Sequence, residues 1–311
     1  MVIKKKSKHT PLKRKENLMA LAFISVKYVG LILFTFVPVL FTILYSFTIY
    51  NPRIDTKSFF SIIGDIWCGF DNYVKVFKSG TNIADNFTNA ITNNLIFMLS
   101  VPLGIFIGLI VAVMLSNEKK IHGSRVIRTL IYVPVVSSAV AMNIIWRYIF
   151  NTRTFGGVLN VVMNADIPWL TDDAWIKLAI IIKSAWGSIG RTMILCLAAL
   201  TNVGRDYREA AELDGASEIT MFFKIYLPLI SPTLFYLVCT GLIGNLQSYV
   251  DAQIFAEGRF GARTIVYFIW SYGINQSNYG VAGAASVILT AGIMGLTVLQ
   301  FKISNKWVYS E

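Results

Sequence analysis

Long apolar runs separated by short charged segments dominate this chain. Six of them reach the roughly 20 residues that a helix needs to cross a bilayer. They fall at about 26–49, 91–116, 126–150, 174–201, 230–256 and 281–304. The pattern predicts an all-α polytopic membrane protein with six transmembrane helices. The first run extends from Leu18 to about Phe47, interrupted by Lys27, and follows a tail carrying Lys4, Lys5, Lys6, Lys8, Lys13, Arg14 and Lys15. A cleaved signal peptide has a shorter apolar region ending at a small-residue site, so this run reads as an uncleaved span. Prolines inside spans (Pro38, Pro102, Pro134) predict kinks that neighbouring helices accommodate. Gly104, Gly108 and Ala112 share one face of the second span, and Gly280 to Ala285 open the last with another small face; both suit close helix packing.

Lysines and arginines orient the spans. The tail, the 117–125 turn with Lys119, Lys120 and Arg125, the 202–229 loop, and the end with Lys302 and Lys306 form the more basic side. By the positive-inside rule both termini are cytoplasmic. The expected organisation is a basic tail at 1–17 and a permease domain at 18–311, with first span and outer loop at 18–90 and core at 91–304. With 55% hydrophobic and only 14% charged residues, a soluble domain is excluded. The net charge of +11 sits in the tail and loops, so it encodes topology and does not point to nucleic acid. Cys68, Cys196 and Cys239 are widely spaced, and His9 and His122 lie in basic flanks. No disulfide framework, metal site or histidine catalysis is expected.

The loop at 202–229 is the most informative segment. Tyr207 to Leu213 has good helix formers, and Glu209 and Glu212 sit early enough to favour a helix start. Gly215 supplies a break or a left-handed turn. Ser217 before Glu218 caps a second short helix through Thr220 to Ile225. Pro228 then starts the next span. The result is helix, Gly turn, helix, Pro along the membrane surface. The chain has no G-x-x-x-x-G-K-[ST] loop, so it holds no standard phosphate cradle and is not expected to be an enzyme.

Polar residues within spans are costly and usually face a cavity or a partner. In the fourth span Ser184, Ser188 and Arg191 line up on one face, with Trp186 close by, whose ring suits the apolar face of a sugar. In the fifth, Asn245 and Ser248 share a face with Gly241, while Gln247 and Asp251 share another. Amides supply both donors and acceptors to hydroxyls. These side chains serve either substrate or helix–helix hydrogen bonds. Asn143 and Trp146 are secondary candidates in the third span. Asp251 and Lys183, at similar depth, form a structural ion pair on this reading. Arg191 sits deeper and faces either a cavity or a second permease; cavity-facing Arg191 and Lys183 would admit an acidic or phosphorylated substrate.

The spacing Glu209-Ala210-Ala211, three residues, Gly215, nine residues, Ile225-x-Leu227-Pro228 resembles the EAA loop of ABC importer permeases. Gly69-Phe70-Asp71-Asn72-Tyr73 resembles the turn after the first span of sugar-type members. The likeness extends through Tyr45 to Thr48, Val101 to Gly104, Arg128 through Pro134, Trp186 and Pro232-Thr233. The chain is thus similar to the first permease subunit of type I carbohydrate importers of the maltose, multiple-sugar and glycerol-phosphate kind. It departs from them after the fifth span, where Glu257-Gly258-Arg259-Phe260-Gly261 stands for a Gly-Gly-Pro-Gly segment.

The resemblance implies a second homologous permease, two ATPase subunits carrying ATP and Mg, an extracytoplasmic solute-binding protein, and a place in the cell membrane of a bacterium. No cofactor is bound by the chain itself. Glu209, Ala210, Ala211, Asp214 and Gly215 would dock the ATPase, with Arg205, Arg208 and Glu212 as rim charges. Ser184, Ser188, Arg191, Asn245 and Ser248 would carry most of the substrate contacts, beside Trp186, Gln247 and Asp251. An ABC permease for a non-sugar solute such as glycerol phosphate or a peptide shares the loop's logic. A secondary transporter would need intramembrane carboxylates and inverted repeats; one clear in-span carboxylate, Asp251, is present. A membrane enzyme has no supporting constellation.

Overall fold

The structure is a computed structural model describing residues 11–55, 59–116 and 123–309. The residues before Pro11 and the 117–122 turn with Lys119, Lys120 and His122 lie outside the described residues. Four helices cross without a sharp bend: α1 (Met19–Ser46), α2 (Asn82–Ser116), α5 (Asp173–Asn202) and α9 (Tyr279–Ser304). Two crossings are bent pairs, α3 (Ser124–Val136) with α4 (Ala139–Ile149) at 104°, and α7 (Glu218–Leu229) with α8 (Ser231–Leu246) at 64°. Between α5 and α7 lies the short helix α6 (Arg205–Leu213). The six apolar runs therefore form six crossings, in an all-helical fold.

Prolines explain much of the irregularity. In α1 a π-helical turn spans Ile32–Phe36, two residues before Pro38; in α7 another spans Phe222–Tyr226, two residues before Pro228. Each proline lacks an N–H for the carbonyl four residues back and its ring crowds that carbonyl, so the helix widens by one residue. Pro134 has a stronger effect: α3 continues only two residues past it, and Ser137 is extended. Pro228 does not start the fifth span as the sequence suggested. It lies near the end of α7, and Pro232 occupies the first turn of α8, where its missing N–H costs nothing.

The glycine faces set the packing. A Cβ on Gly104 would press on the Ser188 hydroxyl and lie 2.8 Å from the Ala185 carbonyl. One on Gly108 would lie 2.6 Å from Thr192 Cβ. Together with fully buried Ala112, these residues let α2 and α5 pack backbone to backbone. Gly190 does the same for α5 against the Ile131 carbonyl of α3, and Gly241 makes room on α8 for the Val101 side chain of α2. Gly280 and Gly283 bring α9 against the end of α1, where Cβ atoms would meet the Thr48 carbonyl and the Ser46 amide. α1 is otherwise peripheral: Leu21, Phe23, Val26 and Phe34 are among its exposed side chains, an apolar surface suited to lipid.

The Gly-Phe-Asp-Asn-Tyr turn pins α1 to this frame. Asn72 is buried and donates through Nδ2 to the Ser46 and Thr48 carbonyls at 3.0 and 2.7 Å. The Tyr73 and Ser46 hydroxyls are 2.8 Å apart. The turn thus caps carbonyls at the end of α1 that would otherwise lack partners.

The fifth crossing differs most from expectation. Its helix stops at Leu246, not near 256, and a single π-helical turn follows at Asp251–Phe255. Buried asparagines of α2 make this irregular backbone tolerable at depth. Asn94 donates to the Asn245 carbonyl at 3.1 Å and accepts from the Ile265 amide at 2.8 Å. Asn93 donates to the Phe260 and Arg263 carbonyls, both at 3.0 Å. Backbone freed from a helix inside a membrane must find partners in the protein, and these two side chains provide them.

Candidate functional site

α2, α5, α8 and the turn after α8 enclose a cavity of about 220 Å³. α5 presents Ser184, Ser188 and Arg191 to it, at positions i, i+4 and i+7 of one face, together with Thr192. α8 contributes Leu237, Thr240, Gly241, Gly244 and Asn245; the following turn adds Ser248 and Asp251. α2 closes the wall with Ser100, Val101 and Ile105. The lining mixes hydroxyls, one amide and two charged groups with aliphatic surface, as small-molecule sites generally do.

Of the sequence-selected residues, Ser184, Ser188, Arg191, Asn245, Ser248 and Asp251 come together here. Two do not. Trp186 turns away on α5 and meets Trp146 of α4 edge to face, ring centroids 5.2 Å apart. Gln247 is exposed outside the lining, because the helix ends before it and the expected pairing with Asp251 on one helical face is lost. Asn245 lines the cavity, but its Nδ2 donates to the Phe97 carbonyl at 3.0 Å, tying α8 to α2. Thr192, Thr240 and Ser100 were not anticipated. Thr192 stands one residue after Arg191, and the hydroxyl of Thr240 follows from its spacing to Gly241 and Gly244 once α8 and α5 are known to face each other.

Asp251 and Lys183 form the ion pair expected from their depth. Lys183 Nζ also donates to Asn143 Oδ1 at 2.7 Å and sits 5.4 Å from the Phe255 ring centroid. The pair therefore joins α5, α4 and the π-helical turn. Asp251 is the more accessible partner, with its side chain 21% exposed against 9% for Lys183. Ser184 Oγ lies 3.4 Å from the other carboxylate oxygen.

A second surface lies at the 202–229 loop. α6 ends in a Schellman turn: the Ala216 amide donates to the Ala211 carbonyl at 2.9 Å and the Gly215 amide to the Glu212 carbonyl at 3.1 Å. Gly215 has φ +72°, a left-handed conformation that glycine adopts freely. Ser217 then caps α7, accepting from the Thr220 amide at 3.2 Å. α7 starts at Glu218, directly after that cap, and runs on to Leu229, past the expected end at Ile225. Glu209, Ala210, Asp214 and Gly215 are exposed. Ala211, which the motif places in the docking set, is buried, only 7% exposed. Exposed apolar groups flank the Gly turn in sequence, Leu213 (89%) before it and Ile219 (72%) after it, with Tyr207 earlier on α6. Their residue types gave no signal, since a lone exposed leucine in a loop is unremarkable in sequence.

Among the described residues no group of histidine, cysteine, aspartate and glutamate could hold a metal. Arg147 and Glu257 form an ion pair across the connection from α4 to the segment after the π-helical turn.

Residues 100–308 match the family described as "Binding-protein-dependent transport system inner membrane component". The chain is 30% identical over 309 residues to the probable ABC transporter permease protein YesP of Bacillus subtilis, covering 96% of this chain and 94% of that one. It is 34% identical over 227 residues to the lactose transport system permease protein LacF of Rhizobium radiobacter, covering 69% and 75%. In fold it is similar to a chain of a bacterial ABC transporter involved in the import of the acidic polysaccharide alginate, with TM-score 0.77 at 20% identity over 94% of this chain and 96% of that one. Polytopic helices, an EAA-type loop and the absence of an ATP-binding motif in the sequence agree with these matches. The chain belongs to the family of inner membrane components of binding-protein-dependent transport systems, as a multi-pass permease subunit powered by a separate ATPase.

Proposed function

We propose that the chain is the first-type permease of a bacterial sugar importer, carrying a di- or oligosaccharide or a related polyol. The observation that carries this reading is the cavity between α2, α5 and α8, lined by Ser184, Ser188, Thr192, Thr240 and Ser248 beside aliphatic surface. Ser188 and Thr240 donate their own protons to the Ala185 and Tyr236 carbonyls, each at 2.8 Å. They therefore offer lone pairs to the cavity, which suit the hydroxyl donors of a sugar. LacF, by name a lactose system permease, supports the same class.

The protein lies in the cell membrane with both termini in the cytoplasm, as the lysine and arginine distribution favours. A second homologous permease completes the translocation path, and an extracytoplasmic solute-binding protein delivers the sugar. Two ATPase subunits, holding ATP and Mg, dock at Glu209, Ala210, Asp214, Gly215 and the exposed Leu213 and Ile219. Coupling follows from connectivity. Only Val203 and Gly204 separate α6 from α5, and α7 joins α8 through one bend. Two of the three helices that line the cavity, α5 and α8, are thus tethered to the docking surface, so closure of the ATPases shifts them as rigid bodies between two states.

The test is ATP hydrolysis by the complex reconstituted in lipid with its ATPases and binding protein. Sugar-dependent stimulation is expected. Stimulation by peptides alone would overturn the sugar class, and failure of any ATPase to co-purify would overturn the docking assignment.

A further inference from the structure

Charge inside the cavity points to a narrower substrate class, a step that rests on the proposed sugar reading. Two ionisable side chains line the cavity, Asp251 and Arg191. Asp251 is neutralised by Lys183, whose ammonium is shared with Asn143. Arg191 is exposed and makes no hydrogen bond or ion pair among the described residues. It stands seven residues after Ser184 on the same face of α5, about 10 Å along the axis. The Lys183–Asp251 pair therefore leaves one positive charge in the cavity without a counter-ion.

An arginine within a span is costly unless it meets an anion or water. Its guanidinium stays charged at any working pH, and its planar fork fits the two oxygens of a carboxylate or a phosphate. Ser188 and Thr240 present acceptors to the same space, which suit hydroxyls and disfavour an anion. The cavity thus offers acceptors for hydroxyls at Ser188 and Thr240 and, less than one turn further along α5, a guanidinium for an anion. We propose that the imported sugar is itself an anion, carrying a carboxylate or phosphate that Arg191 recognises, with the serine and threonine hydroxyls holding the neutral part.

The experiment uses the full complex in lipid vesicles with its binding protein. The probes are a neutral disaccharide, a uronate-containing disaccharide and a hexose phosphate, tested on the natural chain, Arg191→Gln and Arg191→Lys. Uptake of one of the two anionic probes is expected, and which one separates carboxylate from phosphate. Arg191→Gln should lower that uptake about tenfold or more, as loss of a charge-assisted hydrogen bond does. Arg191→Lys should recover part of it, with ATPase co-purification unchanged in both. Transport of the neutral disaccharide alone would overturn the anionic class while leaving the sugar reading intact. Anion uptake that Arg191→Gln does not reduce, or loss of the second permease from that variant's complex, would assign Arg191 to the subunit interface and overturn its role here. If ATPases co-purify but no sugar of any charge stimulates them, the sugar reading fails and this inference with it.

Discussion

The Lys183–Asp251 pair gives an asymmetric prediction. Removing one partner of a buried ion pair costs about 3–5 kcal/mol, because a charge remains in poor solvent. The two residues are not equally placed. Asp251→Asn strands an ammonium whose side chain is 9% exposed, with Asn143 Oδ1 at 2.7 Å and the Phe255 ring as its remaining neighbours. Its cost should approach the full range. Lys183→Met strands a carboxylate that is 21% exposed and borders the cavity, where water reaches it. Its cost should be smaller, about 1–2 kcal/mol. The double variant leaves no charge behind, so it should be more stable than Asp251→Asn alone, with a coupling of about 1–3 kcal/mol between the sites. The assay is thermal unfolding of the permease complex in lipid nanodiscs, comparing both single variants, the double variant and the natural chain. Equal losses in the two single variants, or a double variant that loses their sum, would refute the assignment of burial and pairing.

Three other perturbations bear on separate parts of the molecule. Leu213→Ser removes an 89% exposed side chain, so it should leave unfolding unchanged while weakening ATPase co-purification; unchanged co-purification would remove Leu213 from the docking surface. Gly280→Ala places a methyl against the Thr48 carbonyl and 2.6 Å from Asn72 Nδ2, both fixed by the α1 turn, and should cost about 1–3 kcal/mol by overpacking, read as a lower melting temperature. Asn245→Ala removes the tie to the Phe97 carbonyl and should lower stability by about 1 kcal/mol; a loss of uptake with unchanged melting would instead make that amide a substrate contact.

What the sequence determined by itself were the features set by short-range chemistry. Apolar run length fixed the six crossings, since a span must satisfy its own backbone in lipid. The Ser217 cap and the left-handed Gly215 were legible because those conformations favour few residue types. The small faces at Gly104, Gly108 and Gly280 were legible for the same reason, as only small residues permit such approach. Tertiary structure decided where helices stop and which way side chains turn. The fifth helix ends at Leu246, where Asn94, some 150 residues earlier, donates to the Asn245 carbonyl, and Asn93 holds the irregular backbone further on at Phe260 and Arg263. Ala211 carries the motif yet is buried, while Leu213 takes the exposed position. Such outcomes depend on partners distant in sequence, and no local pattern encodes them.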